Sequence, residues 1–228
     1  MHPILIIGAS RGIGRALAVQ LLGSGHSVLT MGRSVPDLSG TVAHITHNVL
    51  SSTYPMDQLP EVLGGLVYCP GSIDLKPLRS TKVDDLRAAF ELNVIGAFNA
   101  VQACAERLKK SPGSGIVLFS TVAVQRGMAF HTGVAAAKGA VEGMARSLAA
   151  ELAPTVRVNC IAPSLTRTSL SEKLLSSPER EKASAERHPL KRVGEAADVA
   201  AMAAFLLGHQ AGWITGQVIG VDGGMSAI

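Results

Sequence analysis

Pro3-Ile-Leu-Ile-Ile-Gly-Ala-Ser-Arg-Gly-Ile-Gly14 is the stretch whose reading decides the fold. Its apolar start is short and shows no polar alternation, so residues 3–7 read as a strand buried on both faces. A glycine loop, Gly8-x-x-x-Gly12-x-Gly14, follows directly. An amphipathic helix over 15–22 comes next, closed by Gly23 and Gly25, and a second strand covers 27–30. Together these make a βαβ unit of about 30 residues.

Each glycine in the loop has a physical use. Gly8 turns the chain tightly off the strand, Gly12 lets backbone approach a pyrophosphate, and Gly14 lets the helix pack closely on the sheet. The helix start then offers unpaired N–H groups and a positive dipole end to phosphate. Gly8, Ser10, Arg11, Gly12, Ile13 and Gly14 are therefore expected to bind a dinucleotide. An acid some 20 residues on would accept from a ribose 2′-hydroxyl and repel a 2′-phosphate. Here the second strand ends Thr30-Met-Gly-Arg-Ser34, with no acid. Arg11 and Arg33 can clamp a 2′-phosphate, with hydroxyls from Ser10 and Ser34. NADP(H) is expected in preference to NAD(H).

Strand and helix alternate along the rest of the chain. Strands are expected at 44–46, 65–68, 116–119, 156–161 and 218–221. Pro55 and Pro60 leave little room for a long helix in the crossover at 49–61. A long periodic helix covers 83–110, with Leu86, Phe90, Val94, Ala97 and Val101 on one face. Further helices cover 134–152 and 196–207, and a polar excursion, expected to be a substrate lid, covers 165–187. Uninterrupted apolar strands alternating with helices predict an α/β fold: one domain over 1–228, a Rossmann-like, doubly wound parallel sheet of about seven strands with helices on both faces.

Composition narrows the function classes. The chain is 47% apolar and 17% charged, so it can bury a sizeable core. Its net charge of +4 comes without any Lys/Arg run longer than two, so no nucleic-acid partner is expected. Cys69, Cys104 and Cys160 lack CxxC or histidine spacing and read as buried thiols in a reducing compartment, with no metal. No apolar run reaches the ~20 residues that span a bilayer. The N-terminus enters a strand at once, unlike a signal peptide. A cytoplasmic protein is expected, with no membrane partner.

A second stretch carries the chemistry. From Ile116 an apolar strand leads to Ser120 and Thr121, then a glycine-punctuated loop with His131, then a small-residue helix with Lys138. Strand end, hydroxyls, histidine and helix lysine together read as a reactive site.

These segments resemble the classical short-chain dehydrogenase/reductase family along essentially the whole chain. The glycine loop has that family's spacing, with Ile7 where a threonine usually stands. Asn93, in Glu-Leu-Asn-Val, matches its helix asparagine. Val158-Asn-Cys-Ile-Ala-Pro163 matches its sixth-strand segment, and Ile214-Thr-Gly-Gln-Val-Ile-Gly-Val-Asp-Gly-Gly224 its C-terminal signature. The resemblance implies that Asn48 and Val49 meet the adenine. It places Cys69, Pro70, Gly71, Pro163 and Thr168 around the cofactor, and Lys138 on the nicotinamide ribose. It also implies a homodimer or homotetramer and a small carbonyl or alcohol substrate.

The departures bear on mechanism. The family's Ser–Tyr–Lys set has tyrosine four residues before lysine. Lys138 is present, the tyrosine position is Val134, and the serine position is Thr121. Asn-Asn-Ala-Gly becomes Tyr68-Cys-Pro-Gly71, and Pro-Gly becomes Pro163-Ser164. Tyrosine would protonate the substrate oxygen, and general acid catalysis contributes ~10²–10⁴ in rate. His131, three residues before Val134 and so on the same helix face, is the expected replacement. Thr121 can donate a hydrogen bond but is a poor acid, and Lys138 can act through the ribose or a water. Asn93 completes the expected catalytic set. Val122, Met128, Phe130 and Leu165 are expected to line the substrate space. Alternatives stay open: an NADP-binding sensor or partner subunit without turnover, or a non-redox enzyme on the same scaffold.

Overall fold

The computed structural model describes residues 2–38, 42–51 and 53–228. The chain runs β1 (Ile4–Ile7), α1 (Gly12–Gly23), β2 (Val28–Gly32), β3 (Ala43–Thr46) and β4 (Gly65–Tyr68). It continues α2 (Val83–Phe90), α3 (Gly96–Lys109), β5 (Ser114–Phe119), α4 (Ala123–Arg126), α5 (Thr132–Leu152) and β6 (Val156–Pro163). It ends β7 (Thr166–Arg167), α6 (Pro178–Glu186), β8 (Gly194–Glu195), α7 (Ala196–Leu207) and β9 (Val218–Val221). Seven strands form one parallel sheet in the order β3-β2-β1-β4-β5-β6-β9. The Rossmann-like fold is as the sequence predicts.

The two-residue period of the strands sorts the core into two layers. Leu5, Ile7, Leu66, Ile116 and Leu118 face Val101, Cys104 and Leu108 of α3 and Val141 and Ala145 of α5. Ile4, Ile6, Val67, Val117 and Ile161 face Leu17 and Leu21 of α1 and Val199, Ala203 and Leu206 of α7. Strand order reverses at β1, which pairs with both β2 and β4. The crevice at the strand ends beside this point is where open α/β sheets bind ligands.

Two expectations need correction. The long helix expected over 83–110 is interrupted by a π turn at Glu91–Ile95. The Tyr68 hydroxyl donates to the Leu92 carbonyl at 2.6 Å, and Asn93 Nδ2 donates to the Ala89 carbonyl at 2.8 Å. Side-chain donors thus compete with the helical ladder there. Gly96 is needed beside this turn, because a Cβ would strike the Tyr68 hydroxyl. Helix α5 begins at Thr132 rather than 134, which makes His131 its N-cap. Around the excursion, β7 pairs with β8, Arg167 joins Glu181 at 2.5 Å and Glu195 at 3.1 Å, and Ser177 caps α6.

Candidate functional site

The glycine loop has the geometry its sequence requires. Gly8 and Gly12 have φ of +86° and +56°, the left-handed region that side chains disfavour. A Cβ on Gly14 would strike the Gly8 carbonyl oxygen and lie 3.1 Å from Cys69 Sγ. The α1 N-cap, Arg11, makes no side-chain capping bond, so the first-turn N–H groups are left for a ligand. Gly8 N–H donates to the Met31 carbonyl at 2.8 Å, which sets the exposed Arg33 and Ser34 just beyond the loop. Arg11 and Ser10 are exposed on the loop itself. Neither arginine joins an ion pair among the described residues. Asn48 turns the chain after β3 by accepting from Leu50 N–H at 3.2 Å, and Val49 is buried behind it.

The reactive groups converge from four elements. Cys69 N–H donates to the Ile7 carbonyl at 3.0 Å, and Pro70 packs against Gly8. At Gly71 a Cβ would lie 3.2 Å from Asn93 Oδ1 and 3.5 Å from Lys138 Nζ, so this glycine keeps the space between them open. Asn93 Oδ1 is buried with no hydrogen-bond partner among the described residues. Lys138 is 9% exposed and its Nζ donates to the Phe119 carbonyl at 2.8 Å. Burial pulls its pKa down to about 8. Burial pushes the Cys69 thiol up to about 12, so it stays protonated.

One cavity of about 310 Å³ draws these parts together. Ile13, Cys69, Gly71, Thr121, His131, Lys138, Pro163 and Thr168 all line it, as do Val122, Met128 and Leu165. Val134 lines it too, buried, one helical turn ahead of Lys138. Thr168 also reaches the glycine loop, where a Gly12 Cβ would lie 3.3 Å from its methyl. Phe130 departs from expectation. It is 57% exposed with φ of +68° and lies outside this cavity.

The protic groups differ in what they are free to do. Thr121 Oγ1 accepts from Ala123 N–H at 3.3 Å, which leaves its own hydrogen free. Ser120 Oγ donates to buried Glu142 at 2.7 Å. The His131 ring meets the Ala129 carbonyl through Nδ1 at 2.7 Å. Both tyrosines lie away from the cavity lining, and burial raises the pKa of each. Sequence reasoning missed Ser164 and His188. They line the cavity and meet at 2.8 Å from positions 24 residues apart, a pairing that only the folded chain reveals.

The cradle fits a nicotinamide dinucleotide: glycines too tight for any side chain, an uncapped helix start, an orphaned amide oxygen and a buried ammonium. Among the described residues no group of three His, Cys, Asp or Glu gathers to hold a metal ion. No helix is long and apolar enough to cross a membrane among those residues.

A family model described as Enoyl-(Acyl carrier protein) reductase matches residues 58–226. The 3-oxoacyl-(acyl-carrier-protein) reductase FabG of Thermotoga maritima is 33% identical, over 97% of this chain and 96% of its own. A tropinone reductase homolog of Arabidopsis thaliana is 34% identical over 97% and 92%. The ligand-free aldohexose dehydrogenase of Thermoplasma acidophilum superposes with a TM-score of 0.93 at 26% identity, covering 100% of this chain and 94% of that one. Fold, glycine loop and these matches agree: the chain belongs to the classical short-chain dehydrogenase/reductase family of oxidoreductases.

Proposed function

We propose that this chain is an NADP(H)-dependent oxidoreductase that moves a hydride to or from a small carbonyl or alcohol, with Val134 standing where the family's tyrosine would act. The observation that carries the reading is the meeting of buried Lys138, orphaned Asn93 Oδ1 and Gly71 at one apolar-walled cavity beside the glycine loop. When bound, NADP(H) supplies or accepts the hydride. The loop from Gly8 to Gly14, with Ile13 on the cavity wall, holds the pyrophosphate, and Arg11, Arg33, Ser10 and Ser34 hold the 2′-phosphate. Asn48 and Val49 flank the adenine. Cys69, Pro70, Gly71, Pro163 and Thr168 enclose the nicotinamide end, and Lys138 donates to the ribose. Thr121 hydrogen-bonds the substrate oxygen. The proton comes from another wall group, for which His131 is the sequence-favoured candidate.

Two or four copies associate through α5, following the family's habit, and the free cysteines fit a reducing, cytoplasmic setting. The second reading, a cofactor-binding protein without turnover, is favoured by one feature, the apolar side chain at 134. The two are separated by following NADPH absorbance with trifluoroacetophenone, ethyl acetoacetate and cyclohexanone. Oxidation that depends on the ketone supports the enzyme. Tight NADPH binding with no oxidation across the three supports the silent protein.

A further inference from the structure

Ser164 follows Pro163 at the end of β6 and lines the cavity. The Val122 N–H donates to the Pro163 carbonyl at 3.1 Å, so Ser164 sits beside the turn that carries Thr121. Its Oγ lies 2.8 Å from His188 Nε2. His188 is only 2% exposed, and its Nδ1 lies 2.8 Å from the Ser184 carbonyl. A carbonyl oxygen can only accept, so Nδ1 carries the hydrogen. In neutral imidazole Nε2 then accepts from the Ser164 hydroxyl. In imidazolium the bond reverses: Nε2–H donates to Oγ, and the serine hydrogen turns away from the ring, where Met225 Sδ on the cavity wall lies 3.1 Å from Oγ. The Asp222–Gly223 turn packs on this ring.

The other wall hydroxyls are committed or unsupported. Thr166 donates to the Ser164 carbonyl at 2.9 Å, and Ser171 donates to the Thr166 carbonyl at 2.6 Å. Ser120 donates to Glu142, which is charge-paired with Arg146 at 3.5 Å. Thr121 has a free hydrogen but, among the described residues, no titratable hydrogen-bond partner to replace it. Ser164 is the wall hydroxyl backed by an imidazole among the described residues.

We propose that Ser164, recharged by His188, delivers the proton to the substrate oxygen in place of a tyrosine; this rests on the hydride-transfer reading above. As the carbonyl carbon receives hydride from NADPH, the C=O electron pair moves onto oxygen. That oxygen takes the Ser164 hydroxyl proton. The Ser164 oxygen takes the proton from His188 Nε2. His188 is left neutral, still bonded through Nδ1–H to Ser184, and regains a proton from solvent. Carbonyl, NADPH and one proton become alcohol and NADP+.

The test compares the parent with Ser164→Gly, His188→Asn, His131→Ala, Val134→Tyr and the double variant Ser164→Gly/Val134→Tyr, using NADPH and the three ketones. Glycine is the residue the related family carries at position 164, so that variant is suited to the fold. Ser164→Gly and His188→Asn are expected to lose about 100-fold in kcat with NADPH affinity held within about twofold. A change that leaves only the proton donor missing should be repaired by Val134→Tyr, so the double variant should recover most of the loss. His131→Ala tests the competing donor and should lose less rate than Ser164→Gly, because its ring is tied through Nδ1 to the Ala129 carbonyl. A Ser164→Gly variant as fast as the parent, or a loss that follows His131→Ala instead, overturns the relay alone. A silent parent beside an active Val134→Tyr overturns the relay and native carbonyl reduction together. Silence of both overturns the hydride-transfer reading itself. Independently of turnover, 15N-histidine NMR of the cofactor-free protein at pH 8 should show His188 protonated at Nδ1. An Nε2–H tautomer there contradicts the relay whatever the kinetics.

Discussion

Replacing Lys138 by methionine should change how stability of the cofactor-free protein depends on pH. The ammonium is 9% exposed, and burial lowers its pKa from 10.5 to about 8. In the unfolded chain the ordinary value returns. Between these two values the unfolded state binds more protons than the folded one, so folding stability rises with pH through that window. One pKa unit corresponds to about 1.4 kcal/mol. The full window is therefore worth about 3 kcal/mol, of which about 2 kcal/mol falls between pH 7 and 9.5. For a domain of this size that is a Tm difference of about 4–8 °C. Cys69, Cys104 and Cys160 work the other way: burial raises each thiol to about 12, so stability falls as the unfolded chain's thiols ionise. The parent and Lys138→Met share those thiols, so the difference between their pH slopes isolates the lysine. Urea titrations followed by circular dichroism at pH 7 and 9.5 measure it. Fluorescence is a poor choice because Trp213 is fully exposed. Equal pH slopes in the two proteins would refute the buried ammonium.

Gly14→Ala should cost about 1–3 kcal/mol through overpacking against the Gly8 carbonyl and Cys69, and should weaken NADPH binding at least about tenfold by calorimetry as the loop shifts; parental stability and affinity would contradict the tight loop. Arg33→Ala should weaken NADPH by about tenfold or more, the scale of a hydrogen bond to a charged group, and leave NADH unchanged. Equal effects on the two cofactors would remove the 2′-phosphate clamp.

The fold was legible because its signals are local. A four-residue apolar strand, a glycine loop and a 3.6-period helix each act within a few residues, and their alternation implies a parallel sheet with right-handed crossovers. The π turn was not legible. It depends on Tyr68 reaching Leu92 across 24 positions, and Leu86 to Val101 still looks like one helical face. The cofactor cradle was readable from glycines that admit no side chain. The Ser164–His188 pair was not, because serine and histidine become a unit only when the end of β6 and the end of α6 fold onto one cavity. Phe130 was misplaced for a similar reason. A positive φ at that residue turns its ring outward, and nothing in its neighbours announces that conformation.

Isotope transfer tests hydride chemistry most directly. The protein is incubated with NADPH deuterated at C4 of the nicotinamide and with trifluoroacetophenone, and the product is analysed by mass spectrometry. Deuterium on the carbinol carbon, at a rate that falls with Ser164→Gly, is the predicted result. No alcohol from a protein that binds NADPH tightly, and none with the other two ketones, contradicts it.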